Sequence, residues 1–155
     1  MRVFILTPFF WQSSRPSGIA NSVHNIVNSI KNKYEISVLS SNVGIDKKKQ
    51  NKFISSNLTI DFYKVVYSAN LLFSFDFFRK CYNKVKNCDV IIINEYFSSN
   101  VLFLLIINNL IFKKKVIFFP RGSLIRDKTF SYKKYLFDKL MLNFFKKSVS
   151  KTIFT

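Results

Sequence analysis

An α/β fold, built on an open parallel sheet with helices on both faces, is what this sequence predicts, and three observations lead there. Short unbroken apolar runs, the mark of strands covered on both sides, recur at residues 3–6, 36–39, 90–93 and 116–119. The segments between them include stretches with apolar residues at helical spacing. Hydrophobic residues make up 48% of the 155 and aromatics 17%, enough apolar surface for one core-forming domain over residues 1–155.

The elements follow in order. The first strand is closed by Thr7 and Pro8, and polar residues from Gln12 to Gly18 form a loop. From Ile19, the apolar positions Val23, Ile26, Val27 and Ile30 recur every three or four residues, so an amphipathic helix comes next, ending near Lys33. Residues 36–39 are a second strand, and residues 58–66 alternate as a third. Residues 73–86 read as a helix and residues 90–93 as a wholly buried strand.

The apolar stretch from Tyr96 to Phe112, followed by three lysines, has the look of a membrane span with its cytoplasmic flank. It falls short of the roughly 20 residues a span needs, and Asn100, Asn108 and Asn109 interrupt it. Residues 98–112 are therefore expected as a buried helix. A strand at 116–119, a long helix at 132–147 and a strand at 151–155 complete the pattern. Alternation of this kind implies parallel strands joined by right-handed crossovers, a Rossmann-like arrangement.

The long helix is apolar around most of its circumference, through Tyr135, Leu136, Phe137, Leu140, Met141, Leu142, Phe144 and Phe145. One sheet cannot cover all of that, so a further domain or a membrane surface is expected against it. The chain runs into a strand with no closing helix, which also points to a domain to follow.

Charge bounds the partners. Twenty-five Lys and Arg against eight Asp and Glu give a formal net charge of +17, which calls for an anionic partner or surface. The lysines are scattered in short groups with no nucleic-acid-binding module around them, so nucleic acid is not expected. Cys81 and Cys88 are the only cysteines, too few for a disulfide framework or, without a paired histidine, for a zinc site. They are expected as buried, idle thiols in a reducing cytoplasm. The apolar stretch at the N-terminus is too short for the core of a signal peptide.

In open parallel sheets ligands sit at the carboxyl ends of strands, which singles out three corners: residues 8–18, 94–99 and 120–124. At the third, a buried strand stops at Pro120-Arg121-Gly122, delivering a fixed positive charge and open backbone to the sheet edge, as an anion site requires. Thr-Pro-Phe-Phe followed by Pro-Ser-Gly-Ile, then Asp-Val-Ile-Ile-Ile-Asn-Glu-Tyr-Phe-Ser, then Phe-Pro-Arg-Gly-Ser-Leu together resemble the N-terminal half of glycosyltransferase family 4, the retaining GT-B enzymes. The resemblance covers essentially the whole chain, and the Pro-Arg-Gly corner, followed by a lysine-rich helix and a short strand, is its most specific part.

The resemblance assigns roles residue by residue. Ser17 and Gly18 match the loop whose small residues let backbone amides approach the donor diphosphate, where a helix N-terminus favours negative charge; the family commonly has two glycines there and this chain has one. A glycine that merely permits the turn before the helix is an equal reading. Asn94, Glu95 and Tyr96 match the corner that lines the acceptor cleft, with Glu95 able to accept hydrogen bonds from sugar hydroxyls; an exposed charge at a strand end is the plain alternative. Arg121 stands where many members carry a histidine near the sugar. Arginine stays protonated and cannot act as a base, so its implied role is electrostatic: a bidentate grip on the donor phosphate or an anionic acceptor, against the alternative of pairing with Asp127 or lying on the surface. His24, the sole histidine, falls inside the first helix and does not match the family's position.

Family members bind the nucleotide sugar mainly through a second α/β domain carrying two glutamates seven residues apart. The two glutamates here, Glu35 and Glu95, are sixty residues apart. The resemblance therefore implies the acceptor-side domain of a retaining transferase that moves a sugar from a nucleotide-sugar donor to a glycan or lipid-linked acceptor, inactive alone and completed by a missing C-terminal domain or a separate chain. It implies no cofactor and no metal, and a cytoplasmic location, peripheral to an acidic membrane surface. A non-catalytic α/β binding module, its last helix docked on another protein, is the alternative from a different class.

Overall fold

The computed structural model describes residues 1–12, 18–45, 56–68, 71–73, 75–94, 98–119 and 132–152. Strand formation follows from the apolar runs. β1 (Arg2–Thr7) is buried at every position after the first, because successive side chains point to opposite faces and both faces are covered. Val3 and Ile5 enter one core with Ile36, Val38, Ile60 and Ile92; Phe4 and Leu6 enter the other with Leu39, Ile91, Ile93 and Phe118.

Among the described residues the main sheet has six strands, all parallel. They are β1, β2 (Glu35–Ser41), β3 (Leu58–Tyr63), β6 (Val90–Ile93), β7 (Lys115–Phe118) and β8 (Val149–Thr152), in the spatial order β3-β2-β1-β6-β7-β8. Counted within the sheet this is 3-2-1-4-5-6, the Rossmann order, and the α/β expectation holds. The register is continuous across the centre, with Ile5 opposite Val38 on one side and Ile92 on the other.

α1 (Gly18–Ile30) packs Ala20, Val23 and Val27 inward, the spacing the sequence shows, and closes one core. α2 (Phe75–Asn87) and α3 (Ser99–Ile107) close the other, joined by Phe144 and Phe145 of α4 (Tyr132–Ser148). Helices thus lie on both faces. Leu140 and Leu142 remain 45% and 49% exposed, so α4 does carry apolar surface that the sheet leaves uncovered. Cys81 and Cys88 are free and buried within the second core.

Three segments depart from expectation, the first being the last strand, expected at 151–155, which starts two residues earlier as Val149–Thr152, with residues 153–155 outside the described residues. The strand expected over 58–66 stops at Tyr63, and Val66–Ser68 (β4) turns away to pair antiparallel with Leu71–Phe73 (β5). Side chains take over where the ladder ends: Lys64 N–H donates to Asp76 Oδ2 at 3.4 Å and Val65 N–H to Asn42 Oδ1 at 3.3 Å. Phe73 accordingly belongs to a strand, and α2 begins two residues later than the spacing predicts.

The buried helix expected over 98–112 is helical only to Ile107 and then widens into a π-helical turn, Asn108–Phe112. Leu110 and Ile111 on this turn are 72% and 56% exposed, contrary to the buried reading. Asn108 explains the break. Its amide donates to Lys114 O at 3.0 Å and accepts from Lys114 N–H at 2.9 Å, holding the chain in a tight reversal through Lys113 at φ 53°.

Candidate functional site

From β1 the chain moves through β2 to β3 on one side, then returns across β1 to β6 on the other. The carboxyl ends of β1 and β6 therefore flank the switch point of the sheet, where open α/β sheets form their ligand crevice. Thr7 and Pro8 stand at the first end and Asn94 at the second, all buried. The loop after β1 is fastened down, since Thr7 Oγ1 donates to Phe9 O at 3.2 Å and Ser41 Oγ donates to Pro8 O. Phe10 is wholly buried, with its ring 4.2 Å from that of Trp11 and 5.2 Å from that of Phe62.

Two helices begin at this edge. α1 opens at Gly18 and α3 at Ser99, and neither carries an acidic residue in its first turn to neutralise the positive end of its dipole. Asn94 joins the strand to the first of them: its backbone N–H donates to Leu6 O at 3.0 Å and its side-chain amide donates to Ile19 O at 3.1 Å. Ser98 caps α3, its hydroxyl accepting from Val101 N–H at 3.2 Å. In the same first turn Asn100 is fully buried, with neither atom of its amide hydrogen-bonded. Buried amides without partners are rare in folded chains.

Of the residues singled out in the sequence, the structure places Gly18 and Asn94 together at this edge. A Cβ on Gly18 would meet nothing within 4 Å, so neither crowding by the protein nor a left-handed backbone demands glycine there. Asn94 turns its amide to the backbone of α1 and acts on the site through that helix. Ser17, Glu95, Tyr96, Arg121 and Gly122 lie outside the described residues. Ser98 and Asn100 are additions from the structure; an amide in the first turn of a helix that is wholly apolar from Val101 on was the signal available. His24 is an exposed helix residue whose ring lies 5.4 Å from that of Trp11, stacked, and 3.0 Å from the Asn28 amide.

Other features with chemistry lie away from this edge. A cleft of about 470 Å³ opens at the amino ends of β1 and β2, lined by Arg2, Glu35, Asp61, Lys80 and Lys84. Its charges are largely engaged: Lys84 pairs with Asp61 and Lys80 with Asp76, each at 2.6 Å. Burial pushes the Cys88 thiol up to about 11, with nearby Lys114 working against it, and burial raises Cys81 as well, so neither is poised as a nucleophile. Among the described residues no group of three His, Cys, Asp or Glu is placed to hold a metal ion. No helix among them is long and apolar enough to cross a membrane. No protein-family model matches the chain, and no curated protein or solved structure matches it.

Proposed function

We propose that this chain is the acceptor-side domain of a sugar transferase, forming one wall of a cleft in which a nucleotide-sugar donor meets a glycan or lipid-linked acceptor. The observation that carries the reading is the opening of two acid-free helices at the switch-point edge of a 3-2-1-4-5-6 sheet, the first of them fastened to the end of β6 through Asn94. Backbone N–H groups at such termini favour an anionic group such as a diphosphate. The three corner motifs that resemble family 4 transferases all fall after carboxyl ends of strands in this order: after β1, after β6 and after β7.

In this reading the loop into Gly18 offers backbone amides to the diphosphate, and Arg121 and Gly122 hold a phosphate or carboxylate. Glu95 and Tyr96 meet acceptor hydroxyls. Positive groups stabilise the leaving phosphate, and a second α/β domain supplies the nucleotide site and its paired glutamates. Neither a metal ion nor a cofactor takes part.

Calorimetric titration of the purified chain with nucleoside diphosphates, nucleotide sugars and short glycans tests this. Saturable binding of at least one, weakened about tenfold or more by Arg121→Ala with the fold intact, is the expected result. Absence of saturable binding throughout would overturn the proposal. Turnover by the chain alone at about 1 s⁻¹ or faster would overturn the half-enzyme part of it.

A further inference from the structure

The π-helical turn after α3 combines two features that no element of the sugar-transfer reading uses. Leu110 and Ile111 project into solvent, 72% and 56% exposed. Beside them a cleft of about 420 Å³ is lined by Leu110 and by Lys113, Lys114, Lys115 and Lys147, with no carboxylate among the described residues of its wall. The surrounding sequence is equally one-sided: no acidic residue occurs between Tyr96 and Arg126 or after Asp138. A single exposed leucine needs no explanation, but two adjoining aliphatic side chains at the tip of a braced turn do, beside a group of lysines of which Lys114 alone is felt by a carboxylate, Asp89, among the described residues.

The turn is built to hold that shape. Asn108 is buried and clamps both backbone groups of Lys114, Lys113 N–H donates to Asn108 O at 2.6 Å, and the Asn109 amide donates to Phe144 O at 2.9 Å, fixing the turn to α4. Phe112 on the same turn is anchored inward against the second core, and its ring lies 5.2 Å from that of Tyr82. The lysines and the aliphatic tip are thus displayed on a braced support.

From this we infer that the turn is a docking surface for an anionic phospholipid bilayer, with Leu110 and Ile111 entering the headgroup and acyl boundary while the lysines engage lipid phosphates. A soluble phosphate would satisfy the lysines but would leave the aliphatic pair in water, so the lipid surface is the occupant that accounts for both features. The surface lies at the amino ends of β7 and β8, the sheet edge opposite the switch point, and is separate from the proposed sugar site. It stands whether or not the sugar-transfer reading does.

Co-sedimentation of the full chain with phosphatidylcholine vesicles, with and without phosphatidylglycerol, tests the inference. Binding is expected only with the anionic lipid and should weaken as salt rises. Each lysine contributes roughly fivefold near such a surface, so the triple variant Lys113→Gln, Lys115→Gln, Lys147→Gln should bind on the order of 100-fold more weakly. The triple variant Lys31→Gln, Lys33→Gln, Lys64→Gln, which removes the same charge elsewhere, should bind within about threefold of the parent. Leu110→Ser with Ile111→Ser should cost about tenfold and leave the residual binding more salt-sensitive.

Equal losses in the two lysine triples would show non-specific attraction by the net charge and overturn the site. Full displacement from vesicles by inorganic phosphate at fixed ionic strength, or unchanged binding by the Leu110 and Ile111 variant, would overturn the lipid assignment. Should the lysine triple fail to fold, Lys113→Gln alone, set against Lys33→Gln, decides on the same criteria.

Discussion

Asn94 is where the candidate site and the fold depend on one side chain. It is buried, and its amide donates to Ile19 O at 3.1 Å. Replacing it with aspartate keeps the shape and reverses the chemistry. The start of α1 favours negative charge by about 0.3–1 kcal/mol, but an ionised carboxylate here would be desolvated and would face the Ile19 carbonyl oxygen at a cost of several kcal/mol, so the folded chain should hold the group protonated, with its O–H donating to Ile19 in the amide's place.

The sign follows from linkage. The folded pKa of the introduced carboxyl lies above its unfolded value of about 3.9, so the folded state binds a proton the unfolded state has released, and stability falls as pH rises between the two. The loss is about 1.4 kcal/mol per pH unit, up to about 4 kcal/mol at neutral pH if the folded value reaches that far. Asn94→Asp should therefore lie near the parent at about pH 4 and fall progressively below it towards about pH 7. Asn94→Ala should lose about 1–3 kcal/mol, from the hydrogen bond and a small cavity, equally at both pH values. Urea unfolding of the three proteins across this range is the assay. A difference between Asn94→Asp and the parent that does not change with pH would refute the placement of this side chain against the α1 backbone.

Further outcomes are expected elsewhere. Asn108→Ala removes two hydrogen bonds to the Lys114 backbone and should cost about 2–4 kcal/mol, against about 1 kcal/mol for Asn109→Ala, which loses one; equal costs in urea unfolding would contradict the clamp. Asp89 accepts from Arg2 N–H at 2.7 Å, chiefly for which reason its carboxyl is held below its ordinary value. The parent should therefore lose a stabilising contribution as pH falls through that depressed value, a loss absent from Asp89→Asn, and parallel stability-versus-pH curves for the two would count against it. A thiol reagent at neutral pH should leave Cys81 and Cys88 untouched in the folded chain and label both in denaturant; rapid labelling of the native protein would show that burial does not suppress them.

Much of the fold was legible because strands covered on both faces need nothing beyond uninterrupted apolar residues. Residues 3–6, 36–39, 90–93 and 116–119 each lie within or across a strand, and the spacing from Ile19 to Ile30 is that of α1. Less legible were the places where a polar side chain competes with the ladder or the helix. The strand ends at Tyr63 because Asn42 and Asp76, distant in sequence, take the next two N–H groups, and no local pattern announces that. Asn108 and Asn109 read as flaws in an apolar stretch, whereas in the fold Asn108 ends the helix and turns Leu110 and Ile111 outward.

The sequence by itself determined the layered α/β class, the order of the sheet's strands along the chain and the corners at which a ligand would be sought, since these depend on apolar runs and turn residues close together in the chain. Only the tertiary structure decided which corners meet. Placing β6 beside β1 brings Asn94 to the first turn of α1, a hydrogen bond across 75 residues, and sets two helix N-termini at one edge. It also gathers Lys147 with Lys113 to Lys115 around a single cleft. Pairings of that reach come from the packing of the sheet and its helices, which sequence periodicity does not record.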